Sequence, residues 1–362
     1  EPARSRFATI INELSRLATE FEEAVLDATE AWTEAVQDVT LLAGIPESGL
    51  AVLRKYAQER GLDGWLITLK HPSVQAVLSH ADNRALRERL YTAYNTRASD
   101  QGPHAGRYDN SVRIEQIVAL RHEAAQLLGF ANAAEESLAT KMAPSSTRVL
   151  EFLTDLVDRA KPVGEHELAE LHEFATTELG INALQPWDVS YASERLRERK
   201  FELREEELKP YFPLDAVIAG LFSITERVFG VILQQSFNVD VWHPDVRYYD
   251  VLDSAGQVIA GTYMDLYARH GKRGGAWMDV CRSRFRNGDR LQRSVAYLTC
   301  NFASPSTGVS RDDQDQPKSM PSLLTHDDVL TLFHEFGHGL HHLLTEVDYP
   351  SVSGISGVEW DA

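Results

Sequence analysis

The stretch THDDVLTLFHEFGHGLHHLLT, residues 325–345, decides how the rest of the chain is read. Thr325 is a good N-cap, and Asp327 and Asp328 fall in the first turn, where carboxylates complement the helix dipole. At about 100° per residue, Val329, Leu332, Phe333, Phe336, Leu340 and Leu343 gather on one side of such a helix. His334, His338 and His341 gather roughly opposite. The spacing predicts a helix to about Thr345, its apolar face in the core and its histidine face looking into a cleft.

His334-Glu335-Phe336-Gly337-His338 has the form HExxH. Two histidines four apart on a helix present ring nitrogens to one point, close enough to share a tetrahedral zinc ion. Glu335 lies beside that point without being a ligand. There it can take a proton from zinc-bound water as the water attacks a carbonyl. Short motifs also arise by chance, and the competing reading is a pair of surface histidines. The phase of the motif, its cap and the strand-like segments before it favour the metal reading. Gly337 and Gly339 each cost about 1 kcal/mol relative to Ala inside a helix, which predicts close approach of another segment.

A catalytic zinc takes three protein ligands and an open position. His341 shares the histidine face, but a straight helix rarely brings a third turn onto one ion, so a neighbouring or substrate-contacting role suits it better. His342 is expected at the surface. On spacing alone Glu359 is the attractive third ligand, with Glu346, Asp348 and Asp361 behind it.

Working upstream, VRYYDVLD (246–253) and QVIAGTYMDLY (257–267) flank Ser254-Ala255-Gly256 and predict a hairpin. SVAYLTCNF (294–302) reads as a third strand and 303–322 as a polar loop. A small antiparallel sheet therefore leads into the histidine helix. The first 240 residues read almost entirely as helix. Apolar residues recur at three- and four-residue steps over 111–129 and 146–160, with similar stretches over about 4–30, 81–98, 164–179 and 213–233. Breaks fall at Gly44–Gly49, Gly102-Pro103, Gly164, Pro186 and Pro210–Pro213. The charge-rich 193–209 is a solvated helix face. The fold class is mostly α, divided into a helical lobe (1–240) and the start of a catalytic domain (241–362).

With 43% hydrophobic and 25% charged residues, the composition is that of an ordinary soluble globular protein. No apolar run reaches the length of about 18 residues that a membrane span needs. A formal charge of −18, from 54 acidic and 36 basic residues, repels phosphate backbones and argues against general nucleic-acid binding. Two cysteines, Cys281 and Cys300, are too few for a disulfide framework and are expected as buried or half-buried packing residues, which suits a cytoplasmic setting. The chain opens on Glu1 rather than Met, so its native start is not expected to be in view.

HEFGHGLHH together with YNTRASDQGPHAGRYDN (94–110), LRHEAAQLLGF (120–130), LATKMA (138–143), LQPWDVSY (184–191), DVWHPDVRYYDV (240–251), DLYARHGKRGGAWMD (265–279), VAYLTCNF (295–302) and VSGISGVEWDA (352–362) resembles the thimet-oligopeptidase family of zinc metallopeptidases. The resemblance implies that His334 and His338 bind one Zn2+ and that Glu335 is the general base. It implies internal hydrolysis of short peptides in a mostly helical fold whose two lobes flank a channel. Ala296 and Leu298 on the third strand, and the Gly274-Gly275 loop, would lie along that channel. In the family the third ligand is a glutamate in a V-E-x-P-S-Q segment after a W-D-A triplet. Here that triplet is Trp360-Asp361-Ala362, so the ligand is expected just beyond Ala362, and Glu359 is not its counterpart. The chain is accordingly expected to be an internal portion of such an enzyme, with the remainder as a possible companion chain. The competing expectation is a catalytically silent helical scaffold that binds peptides or a partner. Non-peptide zinc chemistry is disfavoured by the length of the match.

Overall fold

The computed structural model describes residues 2–311 and 317–354. In chain order the helices begin with α1 (Pro2–Ala31), α2 (Glu47–Glu59), α3 (His71–His80), α4 (Arg84–Asn95), α5 (Ser111–Leu127) and α6 (Ala133–Leu138). They continue with α7 (Ser146–Thr177), α8 (Pro186–Phe201), the single turn α9 (Glu205–Leu208), α10 (Leu214–Phe229) and α11 (His326–Leu343). The early strands are β1 (Thr33–Val36), β2 (Trp65–Thr68) and β3 (Ile232–Ser236). Then come β4 (Arg247–Leu252), β5 (Val258–Tyr267), β6 (Trp277–Arg282), β7 (Phe285–Asn287) and β8 (Arg290–Gln292). β9 (Ser294–Phe302), β10 (Ser306–Arg311) and β11 (Pro317–Met320) complete the set. The mostly helical chain with a small sheet leading into the histidine helix is the fold class the sequence implies. Among the described residues no helix is long and apolar enough to cross a membrane.

The chain forms two compact units. One gathers the residues up to Thr33 with Val77–Lys200; the other gathers Glu34–Ala76 with the described residues from Phe201 to Gly354. The five-stranded sheet already begins with β3, before residue 240, and the compact units cut the chain elsewhere.

The first unit is all helix. Asn83 caps α4 by accepting from the Leu86 amide at 3.1 Å. Ser145 caps α7, which then runs as one helix through Pro162 and Gly164, where the sequence predicts a break. A proline removes one intrahelical donor, but the charged and straight-chain residues on either side are strong helix formers. Asp188, in the first turn of α8, is fully buried and accepts from Arg84 Nη2 at 2.7 Å, Arg87 Nη2 at 2.8 Å and the Gln185 amide at 3.1 Å. Burial alone would raise its pKa, but these donors outweigh burial and hold the carboxyl below its ordinary value. Arg87 is itself 1% exposed, so α4 and α8 are joined through a desolvated ion pair.

In the second unit the five-stranded sheet has the order β3-β4-β5-β9-β6. The predicted hairpin is β4–β5, closed where Asp253 Oδ1 accepts from the amides of Ala255 (2.9 Å) and Gln257 (2.8 Å), with Gly256 at φ +75°. The predicted third strand is β9, with Ser294–Phe302 as its bounds. The sheet differs from a purely antiparallel one at a single pairing: β5 and β9 run parallel, because the chain leaves the sheet after β5 and returns between β5 and β6. β9 is central and buried on both faces, which explains its nearly continuous apolar sequence. The predicted loop over 303–322 contains the antiparallel pair β10–β11, and the pair β1–β2 lies within the stretch read as helix.

One face of the sheet is covered by α10 and α11. Leu214, Leu221, Met264, Leu298, Cys300, Leu332 and Phe336 form a single apolar cluster there. The other face carries Trp242, Tyr248, Tyr263 and Tyr297, with ring centroids 4.7–5.5 Å apart. Replacing Asp188 by Ala leaves Arg87 buried without its partner, so we expect a loss of about 3–5 kcal/mol in urea unfolding. A loss below about 1 kcal/mol would show the pair to be dispensable.

Candidate metal centre

α11 begins with a reciprocal cap. The Asp328 amide donates to Thr325 Oγ1 at 3.0 Å, and the Thr325 amide donates to Asp328 Oδ2 at 2.9 Å. Leu332, Phe336 and Leu343 are buried, while Val329, Phe333 and Leu340 pack beside them. This is the predicted apolar face, and it leaves His334 exposed and Glu335 and His338 half-buried. The Nε2 atoms of His334 and His338 stand 3.1 Å apart, with ring planes at 88°. Two nitrogens on one tetrahedral ion, each bonded at about 2.0–2.1 Å, would be about 3.3 Å apart. The two imidazoles are therefore spaced as ligands of a single ion.

Among the described residues no third His, Cys, Asp or Glu joins them in a group that could hold a metal. His341 is exposed and belongs to no such group among the described residues. Asp348 is engaged elsewhere, accepting from Arg284 Nε at 2.7 Å and Arg286 Nε at 2.6 Å. Glu346 is exposed. Glu359, Asp361 and the Trp360-Asp361-Ala362 triplet lie outside the described residues.

His342 is not at the surface. It is 2% exposed, and its Nε2 lies 3.0 Å from the Arg282 carbonyl, so the proton sits on Nε2 and is donated. His342 stands one turn beyond His338 on nearly the same stripe of α11, and there the end of β6 covers it. The segment after α11 folds back on it: a Cβ at Gly354 (φ +59°) would stand 3.2 Å from His342 Cα. Gly337 and Gly339 behave otherwise than predicted. A Cβ at either would meet nothing within 4 Å among the described residues.

Ala296 and Leu298 are 0% and 1% exposed. Their side chains face Leu343 and Leu332 in the core, and their strand pairs with Thr262 and Met264 on one side and Val280 and Met278 on the other. Neither side chain nor backbone is open to a peptide, because β9 is central rather than at an edge. The edge beside it among the described residues is β6, which the sequence reading did not identify although Gly274-Gly275 gives a turn signal just before Trp277.

The Gly274-Gly275 loop is pinned against β9. Asn301 Nδ2 donates to the carbonyls of Arg273 (2.9 Å) and Gly275 (2.6 Å). Lys272, 6% exposed, donates to the carbonyls of Tyr267 (2.8 Å) and Cys300 (2.6 Å) and to Asp265 Oδ1 (2.9 Å). Asp265 also accepts from Arg269 and from Trp242 Nε1 at 3.0 Å. Burial opposes ionisation of this carboxylate, but the bonds from Arg269 and Lys272 win and bring its pKa down to about 2. Cys300, under the same loop, is pushed up to about 12 by burial and stays a thiol, while Cys281 is half-buried. Both cysteines are packing residues, as the sequence implies.

A capped HExxH helix seated on a small sheet, in a mostly helical chain, places the protein among those that carry a two-histidine site on one helix. The sequence profile of peptidase family M3 matches residues 77–362, and the chain belongs to that family. It is 51% identical over 360 residues to Oligopeptidase A of Escherichia coli (strain K12), covering 99% of this chain and 51% of that protein. It is 40% identical over 374 residues to the organellar oligopeptidase A of Arabidopsis thaliana, covering 99% of this chain and 45% of that protein. To the dipeptidyl carboxypeptidase of Escherichia coli (strain K12) it is 34% identical over 355 residues, covering 97% and 49%. The chain thus spans about half the length of the curated relatives it matches.

A carboxylate with a depressed folded-state pKa stabilises the fold above its unfolded value of about 3.9, and that stabilisation is lost as pH falls through the folded value. The stability gap between the parent and Asp265→Asn should therefore be constant from about pH 7 to 5 and shrink by about 2–3 kcal/mol between about pH 4 and 2. Denaturant titration of both proteins across that range checks it; a gap independent of pH would contradict the pairing.

Proposed function

We propose that this chain supplies the metal-binding helix and supporting sheet of a zinc-dependent oligopeptidase that cleaves internal bonds of short peptides. The observation that carries this reading is the 3.1 Å convergence of His334 and His338 Nε2 on an HExxH helix in a member of peptidase family M3. The helical residues 1–240 would form one lobe beside a peptide channel, with 241–362 opening the catalytic domain.

His334 and His338 would hold one Zn2+, with a third ligand from outside the described residues. When bound, the ion acidifies a water and polarises a carbonyl. Glu335, adjacent to His334 and outside the ligand pair, takes the proton of the attacking water on its carboxylate and returns it to the departing amine. The apolar packing of Leu332 and Phe336 holds the helix, and with it the orientation of all three groups. The edge of β6, unpaired among the described residues and tied to α11 through His342 and Arg282, offers backbone groups along which an extended peptide can pair.

The test separates binding from chemistry. Glu335→Gln should keep bound zinc, measured by atomic absorption, while hydrolysis of a quenched fluorescent peptide falls by about 10²–10⁴-fold. His334→Ala should lose the zinc itself. Normal turnover by Glu335→Gln would sink the assignment. Zinc retention without turnover in the parent protein would favour the silent, peptide-binding reading.

A further inference from the structure

The second unit holds a concavity of about 550 Å3 between the five-stranded sheet and the β7–β8 hairpin; neither His334 nor His338 lines it, while Arg282 on its lining is the residue whose carbonyl meets His342. Its sheet side includes Tyr248, Gly261 and Val295, which belong to the face that carries the tyrosines, away from α11. Gly261 is required there: a Cβ would meet the Tyr248 hydroxyl at 1.9 Å, so only glycine lets that ring lie across the strand. Arg282, Arg290 and Arg293 line the same concavity from the end of β6, from β8 and from just before β9.

The charge balance at this place is unusual for the molecule. The chain as a whole has 54 acidic residues for 36 basic ones, yet residues 282–293, RSRFRNGDRLQR, hold five arginines and one aspartate. Arg284 and Arg286 are both satisfied by Asp348. Arg282, Arg290 and Arg293 have no hydrogen bond or ion pair from their side chains among the described residues. Asp250 is the one carboxylate on the lining, which leaves a surplus of two positive charges in the concavity.

We propose that this concavity is a binding site for a phosphate-type dianion. Three exposed arginines from three separate elements line it, and each guanidinium offers a planar fork of donors suited to an oxyanion. A tetrahedral phosphate presents enough oxygens to engage all three, whereas a single carboxylate engages one fork. The volume exceeds that of the bare ion, so a small phosphate ester fits as well, with Asn287 and Gln292 on the lining to meet its body. The site is independent of the metal centre and of the reading of its chemistry.

The test is calorimetric titration of the protein with inorganic phosphate and, separately, with glycerol 3-phosphate, at fixed ionic strength against chloride. Saturable binding of one ligand per chain is expected, weakened about tenfold or more by the double substitution Arg290→Gln, Arg293→Gln. Arg148→Gln, at an exposed position on α7, should leave it unchanged. Equal affinities would identify the ion itself as the ligand class, and tighter binding of the ester would identify a phosphate ester; both support the site. Circular dichroism melts check that the variants fold, and the single Arg293→Gln serves if the double one does not. No saturable binding, or binding that the arginine substitutions leave intact, would overturn the proposal.

Discussion

An α-helix turns by a fixed angle per residue, so burying one stripe dictates what the opposite stripe does. Leu332, Phe336 and Leu343 press α11 onto the sheet, against Leu298 and Cys300 on one side and Ala296 on the other. That contact leaves no choice about His334 and His338: they lie on one outward stripe, one turn apart, with their Nε2 atoms 3.1 Å from each other. The reciprocal Thr325–Asp328 cap fixes where the helix starts, and the His342–Arg282 bond fixes its far end to β6. The convergence of the two imidazoles is a consequence of apolar packing.

The same logic separates what could be read in the sequence from what could not. The hairpin β4–β5 and the strand β9 carry dense β-branched and aromatic runs and a turn with Asp253 and Gly256 at its key positions, so local chemistry sufficed. The parallel pairing of β5 with β9 is a long-range event, set by the excursion through β6, β7 and β8, and no local pattern encodes it. The misplacement of Ala296 and Leu298 along a channel follows from that gap. Once β9 is central, both its edges are spent and its alternate side chains are core. His342 illustrates the complementary failure: its phase is close to that of His338, yet the end of β6 and the segment at Gly354 cover it, a long-range event that the helix pattern does not encode. α7 was legible over its first half from its cap and periodicity, whereas its passage through Pro162 depends on the strength of the flanking helix formers rather than on the breaker itself.

Buried charge organises the loops around this frame. Lys272 and Asp265 sit together under the Gly274-Gly275 loop, and Lys272 bonds carbonyls from both β5 and β9. Asn301 holds the loop's own carbonyls. The glycines are thus free of side-chain contacts but not free to move, which is how a loop of small residues can keep a definite shape beside a sheet. Asp188 with Arg84 and Arg87 performs the corresponding task between helices in the other unit.

The central claim is that His334 and His338 bind one ion together, and X-ray absorption at the zinc edge of the zinc-loaded protein tests it most directly. At least two imidazole nitrogens at about 2.0–2.1 Å are expected, and His338→Ala, like His334→Ala, should lose that zinc signal. A zinc environment without imidazole, or one unchanged by that substitution, would contradict it.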